Sequence, residues 1–148
     1  MRRCLLLISL SLATLSIQAQ ALTAQADSVT KYTMDISFGE AGFTGICLLR
    51  DNGTEIVGSA INEFGIKGFD FILDKQKGKV KLRNVVKFLD KWYIKRVLRA
   101  DLALLLRESN TPRQMRKRKL DIVDGRIILE NHRYHITYQF KPLNEIKG

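Results

Sequence analysis

Residues 69–83 read FDFILDKQKGKVKLR, a segment in which apolar residues alternate with charged ones on both sides of a turn. The apolar residues of this alternation are Phe69, Phe71, Leu73, Val80 and Leu82. Residues 75–78 between the two halves end in glycine, which is typical of a tight turn. The pattern predicts two antiparallel strands with one apolar and one charged face, so we expect a sheet covered on a single side.

The same alternation predicts further strands upstream, at residues 34–38, 43–50 and 55–62. Asn52-Gly53 separates the last two, and this pair is a strong hairpin signal because both residues tolerate a positive φ. Residues 22–31 are small and polar, so we expect them to form a frayed N-terminal leader.

Helical patterns follow the fifth strand, and Asn84 is a candidate N-cap for a helix that begins at Val85. The first apolar stripe is Val85, Phe88, Leu89 and Trp92; the second is Ile94, Val97, Leu98, Leu102 and Leu105. On one continuous helix these stripes would point in nearly opposite directions. We therefore expect either two short helices with a break near Trp92 or one kinked helix, the second helix running from about Tyr93 to Arg107.

Three more strands are predicted after the helices, at residues 120–123, 126–130 and 134–140, with Asp124-Gly125 as the turn between the first two. Consecutive strands with short connections favour an antiparallel meander. The predicted fold is α+β: a curved antiparallel sheet, or incomplete β-barrel, covered on its concave face by one or two helices. The domain would span residues 32–141, and residues 142–148 would form a loose tail.

Residues 1–21 have the features of a secretory signal peptide: Arg2-Arg3, then about a dozen apolar residues, then Ala19-Gln20-Ala21. Cleavage is expected after Ala21, with Ala24 and Ala26 as neighbouring alternatives. The apolar run is short for a membrane span, so an uncleaved anchor is the less favoured interpretation. We expect a periplasmic or secreted protein.

The chain has 148 residues, of which 45% are hydrophobic and 27% charged, with a formal net charge of +10. This composition supports one packed domain and argues against disorder. Residues 1–21 contain two arginines and no acid, so the remainder has 23 cations against 15 acids, a net charge of +8. Basic exported proteins often meet anionic surfaces such as phospholipid headgroups, whereas an export signal argues against nucleic acid as a partner.

Residues with catalytic or metal-binding chemistry are sparse. His132 and His135 would lie on opposite faces of an extended chain, so they do not suggest a shared metal. Asp121 and Asp124 flank a turn, where aspartate is common for backbone reasons. The sequence contains no nucleophile-elbow, phosphate-loop or zinc-protease motif. We expect a protein without enzymatic activity or a cofactor, and we expect Cys47, which has apolar neighbours, to be buried and inert.

The most basic segment carries five cations within residues 113–119. These are Arg113, Arg116, Lys117, Arg118 and Lys119. The segment could dock on anionic headgroups, at about 1 kcal/mol per cation near such a surface. The alternative is a solvated loop in a chain that is basic throughout.

Apolar residues on the sheet and the helix form a second candidate site. Phe43, Phe64, Phe69, Phe71 and Trp92 would line a lipid cavity, and Leu98 and Leu102 would act as its lid. A curved antiparallel sheet closed on one side by helices can keep such a cavity open. The alternative is that these side chains fill an ordinary core.

Four segments of the chain resemble the periplasmic lipoprotein-localisation carriers of the LolA/LolB type. They are Phe43-Thr44-Gly45, the segment INEFGIKGFDF at 61–71, the helical segment LRADLALLL at 98–106, and Asp124-Gly125. The resemblance spans roughly residues 32–141. It implies an incomplete barrel lidded by helices that holds acyl chains in transit between membranes.

Two functions are compatible with these observations. The first is a periplasmic carrier that holds lipid or lipoprotein acyl chains in an apolar cavity, while the basic segment steers it to an anionic membrane surface. The second is a non-catalytic envelope module with a filled core, whose basic surface binds a partner such as an envelope protein.

Overall fold

The computed structural model describes residues 20–143, which form an α+β fold with one eight-stranded antiparallel sheet and one α-helix. The strands are β1 (Thr30–Phe38), β2 (Ala41–Asp51), β3 (Glu55–Asn62), β4 (Lys67–Asp74), β5 (Lys79–Arg83), β6 (Arg118–Val123), β7 (Arg126–Asn131) and β8 (Ile136–Pro142). The helical elements are a 3₁₀ helix (Lys87–Leu89) and α1 (Trp92–Leu106). The expected leader up to residue 19 and the expected tail from residue 144 lie outside the described residues.

The strands lie in the order β5-β4-β3-β2-β1-β8-β7-β6, so β5 and β6 are the two edges of an open sheet. Strands β1 to β5 form an up-and-down meander. After the helix, the chain adds β8 to the free side of β1, and Phe38 lies opposite Ile136 in this pair. The predicted order of five strands, a helical segment and three strands is confirmed.

The predicted alternation in residues 69–83 is confirmed by burial. Phe69, Phe71 and Leu73 on β4 are buried, whereas Lys79 and Lys81 on β5 are exposed. Gly58 on β3 lies opposite Phe71, and a Cβ at this glycine would collide with the Phe71 ring. The glycine therefore makes the room that the aromatic side chain needs.

Helix α1 packs against the buried face of the sheet. Leu98, Leu102 and Leu105 belong to one hydrophobic cluster with strand residues such as Met34 and Leu129. The expected second stripe is therefore confirmed as the packed face of a helix that runs from Trp92 to Leu106. Leu104 and Leu106, which lie outside the stripe, are buried as well, so the last turns of the helix are buried on more than one face.

The expectation for the start of the helical segment was wrong. Asn84 does not cap a helix at Val85: its φ is +50°, and its Nδ2 donates to Asp70 Oδ2 at 2.7 Å. Val86 is extended, and its N–H donates to the Gly68 carbonyl at 2.7 Å. The chain therefore continues along β4 before it turns, and only the 3₁₀ helix precedes α1.

The predicted turns at Asn52-Gly53 and Asp124-Gly125 are confirmed. Gly53 has a φ of +99°, and Asp124 and Gly125 have φ values of +52° and +75°. The last strand begins later than predicted, at Ile136, because the turn after β7 extends through His135, which has a φ of +56°.

The frayed leader expected over residues 22–31 is also corrected. Leu22 is fully buried in the hydrophobic cluster, and β1 begins at Thr30. The Tyr32 hydroxyl lies 3.1 Å from Thr23 Oγ1, and the Asp51 N–H donates to the Gln25 carbonyl at 3.1 Å. These contacts hold the segment against the first two strands, which its small and polar composition did not reveal.

Candidate anion-binding site

The basic segment that follows α1 is an ordered turn. The Thr111 N–H donates to Gln114 Oε1 at 2.8 Å, and the Gln114 N–H donates to Thr111 Oγ1 at 3.2 Å. Met115 packs against the hydrophobic cluster. The His132 N–H donates to the Lys117 carbonyl at 2.8 Å, which ties the segment to the turn between β7 and β8. The backbone positions of its cationic residues are therefore set by these hydrogen bonds and by the packing of Met115.

Around this turn, three parts of the chain line a half-open cavity of about 540 Å³, here called the basic cavity. Its lining residues are Arg96, Val97, Ala100, Arg113, Arg116, Lys117, Arg118, Arg133 and Tyr134. Six of these nine residues are cationic and none is acidic. The volume lies within the range of about 300–1,000 Å³ that is usual for small-ligand sites.

Arg118, one of the lining residues, is held by a buried carboxylate. Asp101 on α1 is 0% exposed, and its Oδ1 accepts from Arg118 Nε at 2.7 Å. Its Oδ2 accepts from the Tyr138 hydroxyl at 2.7 Å and from Asn131 Nδ2 at 3.0 Å. These four residues, here called the Asp101 cluster, connect α1 to β6, β7 and β8. A buried carboxylate is tolerated only with such partners.

The Asp101 cluster fixes the protonation of Tyr138 and the direction of Arg118. Burial, followed by the negative charge of Asp101, raises the pKa of Tyr138 well above its usual value, so its hydroxyl remains a donor. Arg118 also donates through Nη1 to the Gln114 carbonyl at 3.0 Å. The guanidinium is thus fixed from two sides.

In the connection between β7 and β8, the Arg133 guanidinium lies 5.4 Å from the centre of the Tyr134 ring. This distance fits a cation–π contact, which restrains the arginine without neutralising its charge. The cavity therefore combines positioned guanidinium groups with an exposed aromatic ring. Guanidinium groups bind phosphate and carboxylate oxygens in a bidentate manner, so the arrangement can bind an anion.

Of the five cations expected to bind an anionic surface, four line the basic cavity: Arg113, Arg116, Lys117 and Arg118. Lys119 does not. It is the next residue along β6, and its Nζ lies 3.5 Å from Asp121 Oδ2 at an exposed position.

Sequence reasoning missed the other members of the site. Arg96, Arg133 and Tyr134 are distant in sequence and meet the basic segment only in the fold. Asp101 could have been found from the sequence, since it is a single acid in the otherwise apolar last turns of α1. A carboxylate buried at such a position needs polar partners, so it indicates a polar cluster nearby.

The residues proposed to line a lipid cavity divide into two groups. Phe43, Phe69, Phe71, Leu98 and Leu102 are buried within one hydrophobic cluster. Phe64 and Trp92 are 80% and 72% exposed, so they do not belong to this interior set. Phe64 lies in the turn that Asn62 Oδ1 stabilises by accepting from the Phe64 and Ile66 N–H groups, and Trp92 begins α1.

The interior set is packed ring against ring. Phe69 lies 6.3 Å from Phe43 and 6.0 Å from Phe71 between ring centres. Phe69, Leu98 and Leu102 do not line the basic cavity or any of four other cavities on residues 20–143.

Two further features of residues 20–143 bear on function. No group of three or more His, Cys, Asp or Glu side chains in this part of the chain could hold a metal ion. No helix within the same residues has the length and apolar character needed to cross a membrane.

Comparison of the chain with protein-family models, with curated proteins and with solved structures gives no match. The resemblance to the lipoprotein-localisation carriers therefore stays a prediction, and the function is argued from the site.

Proposed function

We propose that the protein is an exported, non-catalytic binding module that docks on anionic membrane surfaces and holds lipid phosphate groups in the basic cavity. The observation that carries the proposal is the convergence of six cations around one cavity without an acid in its lining. Like charges held close together repel one another, and an anion bound among them relieves that repulsion.

The position of the cavity supports a membrane surface as the partner. The basic cavity includes Tyr134, so it lies at the end of the sheet where β7 connects to β8. Alternate connections of an up-and-down sheet emerge at the same end of the strands, and three connections at the end with the basic cavity carry exposed aromatic residues. These are Phe64 between β3 and β4, Phe88 between β5 and α1, and Tyr134 between β7 and β8. Trp92 and Tyr93 begin α1 directly after the second connection. Aromatic side chains beside cations are typical of surfaces that meet the headgroup region.

The acyl-chain carrier is the less supported of the two functions. It requires α1, as a lid on the concave face of the sheet, to move and open the space occupied by Phe69, Leu98 and Leu102. Those side chains are buried in one hydrophobic cluster, and the Asp101 cluster holds α1 to three strands. Lipid that still co-purifies with the Arg116→Gln/Arg133→Gln variant, detected by native mass spectrometry, would favour the carrier, because that variant lacks two cations of the basic cavity.

Vesicle co-sedimentation tests the membrane proposal. The protein should bind vesicles that contain phosphatidylglycerol, should bind pure phosphatidylcholine vesicles weakly, and should dissociate as salt is added. In the double variant Arg116→Gln/Arg133→Gln, loss of two cations at about 1 kcal/mol each should weaken binding about 30-fold.

A matched control separates the effect of the cavity on vesicle binding from the effect of net charge. Lys79→Gln/Lys119→Gln removes two cations outside the cavity lining, from β5 and β6, and should change binding far less. Equal weakening in both double variants would contradict the proposal, because it would mean that only net charge matters. Since the chain contains a single tryptophan, a blue shift of Trp92 emission on vesicle binding would place the aromatic end at the membrane.

A further inference from the structure

The two edge strands of the open sheet present backbone groups to the outside. Within residues 20–143, β5 pairs only with β4, and β6 pairs only with β7. Such an edge can bind a strand of another chain, and proteins usually prevent this with charged side chains, lysine above all. The two edges of this sheet differ in their charges.

Strand β5 is protected against pairing with a second copy of itself. Its three cations, Lys79, Lys81 and Arg83, alternate along the strand and are all exposed. Residues that lie opposite each other in a sheet share a face, and like charges in opposite positions are destabilising. Every antiparallel register between two copies of β5 would place cations opposite cations.

Strand β6 has no such protection. Lys119 and Asp121 share the face opposite to Leu120, and their side chains are 62% and 45% exposed. This face therefore carries one cation and one anion in place of three cations. At the end of the strand, Ile122 and Val123 are 58% and 56% exposed, so the edge also presents apolar surface.

The turn after β6 determines which backbone groups of the strand are free. Asp124-Gly125 is a two-residue connection in which both residues have a positive φ. In such a hairpin the residues that flank the turn exchange both hydrogen bonds, and bonded and non-bonded pairs alternate from there. Lys119 and Asp121 therefore bond to β7. The N–H and carbonyl groups of Leu120 and Ile122 point away from β7, where another strand can bind them.

We propose that two copies of the chain pair through β6 in antiparallel orientation, with Leu120 opposite Leu120 of the second copy. In this register the two leucines exchange both backbone hydrogen bonds. Lys119 of each copy lies opposite Asp121 of the other copy. The strand is thus complementary in charge to itself, as a symmetric dimer interface must be.

The neighbouring registers lack this complementarity. A pair centred on Lys119 would place two ammonium groups opposite each other, and a pair centred on Asp121 would do the same with two carboxylates. A pair centred on Ile122 would place Asp121 opposite Val123 and would leave both lysines opposite the turn. The register centred on Leu120 is the one that places both charges opposite their partners, so the charges select it.

The pairing also determines how two basic cavities are related. Of the residues that line the cavity, Arg118 belongs to β6 and lies at its first position. In an antiparallel pair the second copy is turned end over end, so the two basic cavities lie at opposite ends of the joined sheet. The dimer can then bridge two anionic surfaces. That consequence rests on the proposed function, whereas the pairing itself is tested without lipid.

Sedimentation equilibrium tests the dimer. Pairing of six-residue strands buries less than the roughly 800 Å² per partner that is usual in stable complexes, so the dissociation constant should be on the order of 100 μM. The purified protein should therefore be mainly a monomer at about 5 μM and mainly a dimer at about 1 mM. A monomer at every concentration would overturn the proposal.

Charge reversals test the register. Lys119→Asp and Asp121→Lys each place like charges opposite one another, so each variant alone should have a dissociation constant raised by on the order of 30-fold. An equimolar mixture of the two variants should recover the dimer, because every charge then lies opposite its partner. The double variant Lys119→Asp/Asp121→Lys should recover it as well, at the net charge of the original chain.

A matched control is Lys141→Asp, which makes the same change of net charge at an exposed position on the central strand β8 and should leave the dimer unchanged. Circular dichroism verifies that each variant is folded. A dimer that Lys119→Asp does not weaken, or a mixture that stays monomeric, would refute the pairing.

Amide hydrogen exchange tests the location of the interface. As the protein concentration rises, the N–H groups of Leu120 and Ile122 should exchange more slowly. Those of Lys119 and Asp121 should change little, because β7 already binds them. Slowed exchange on β5 instead of β6 would place the interface at the other edge and would overturn the proposal.

Discussion

Replacing Asp101 by Asn should lower the free energy of unfolding by about 3–4 kcal/mol. The carboxylate accepts hydrogen bonds from Arg118, Asn131 and Tyr138 at 2.7, 3.0 and 2.7 Å, and it is fully buried. An asparagine keeps one acceptor oxygen and presents an amide in place of the other. At least one donor therefore loses its partner, and Arg118 loses the opposite charge beside it.

The magnitude follows from these losses. A hydrogen bond to a charged group contributes about 1.5–3 kcal/mol, and breaking a buried ion pair costs about 3–5 kcal/mol. Arg118 is partly exposed, so water can solvate its guanidinium in the variant. This solvation offsets part of the cost of breaking the ion pair, so the expected loss in the free energy of unfolding lies in the lower half of the range of about 3–5 kcal/mol. Tyr138→Phe removes one donor and leaves the ion pair in place, so its cost should be smaller, about 2 kcal/mol.

Urea unfolding followed by far-ultraviolet circular dichroism measures both losses as shifts of the midpoint at constant slope. Asp121→Asn is the matched control, because the Asp121 side chain is 45% exposed and pairs with Lys119 at 3.5 Å. The control should change stability by no more than about 0.5 kcal/mol. A loss below about 1 kcal/mol for Asp101→Asn, or a loss equal to that of the control, would refute the assignment of this cluster as the connection between α1 and the sheet.

Two further predictions concern the sheet. Burial raises the pKa of the Cys47 thiol to about 12, so at pH 8 the folded protein should react with a disulfide reagent far more slowly than the urea-unfolded protein; equal rates would show that the thiol is accessible. Gly58→Ala should cost about 1–3 kcal/mol because its Cβ collides with the Phe71 ring, and Gly58→Ala/Phe71→Leu should cost less than the sum of the single changes, as measured by a double-mutant cycle. Additive costs would mean that the ring is not the obstacle.

The strands were predictable because their signals are local. The alternation of Phe69, Phe71 and Leu73 and the glycine turn that follows depend on neighbouring residues only, and the Asp124-Gly125 turn has the same local character. The helix start was not predictable from Asn84, because it depends on the hydrogen bond from the Val86 N–H to the Gly68 carbonyl. A helical pattern relates only residues a few positions apart, and this bond joins residues that are much further apart in the chain. Residues 22–25 were misjudged for a similar reason, since their partners lie on α1, β1 and β2.

The candidate site was only half predictable. A run of cations is visible in any sequence, so Arg113 and Arg116 were found. The partners of Asp101 lie 17, 30 and 37 residues away, and Arg96 and Arg133 come from different elements. For the aromatic residues the prediction was partly wrong, because Phe64 and Trp92 were assigned to the interior on the basis of residue type alone. The fold places both of them in exposed positions at the end of the sheet that also carries the basic cavity.

The two proposed functions make opposite demands on Arg118 and Asp101. A carrier needs α1 to move away from the sheet, whereas the basic cavity needs α1 to stay, because the helix contributes Arg96 and holds Arg118 through Asp101. Arg118 uses two of its five N–H donors for Asp101 and Gln114, which leaves three for other acceptors. Asp101→Asn removes one negative charge as well as the support of Arg118, so its vesicle binding is compared with that of Asp121→Asn, which removes an equal charge outside the cavity lining. Relative to that control, Asp101→Asn should reduce vesicle binding if the cavity is the binding site, since a positioned guanidinium is lost. The same change should increase acyl-chain uptake if the protein is a carrier, since α1 then opens more readily. One variant, measured in both assays, separates the two functions by the sign of its effect.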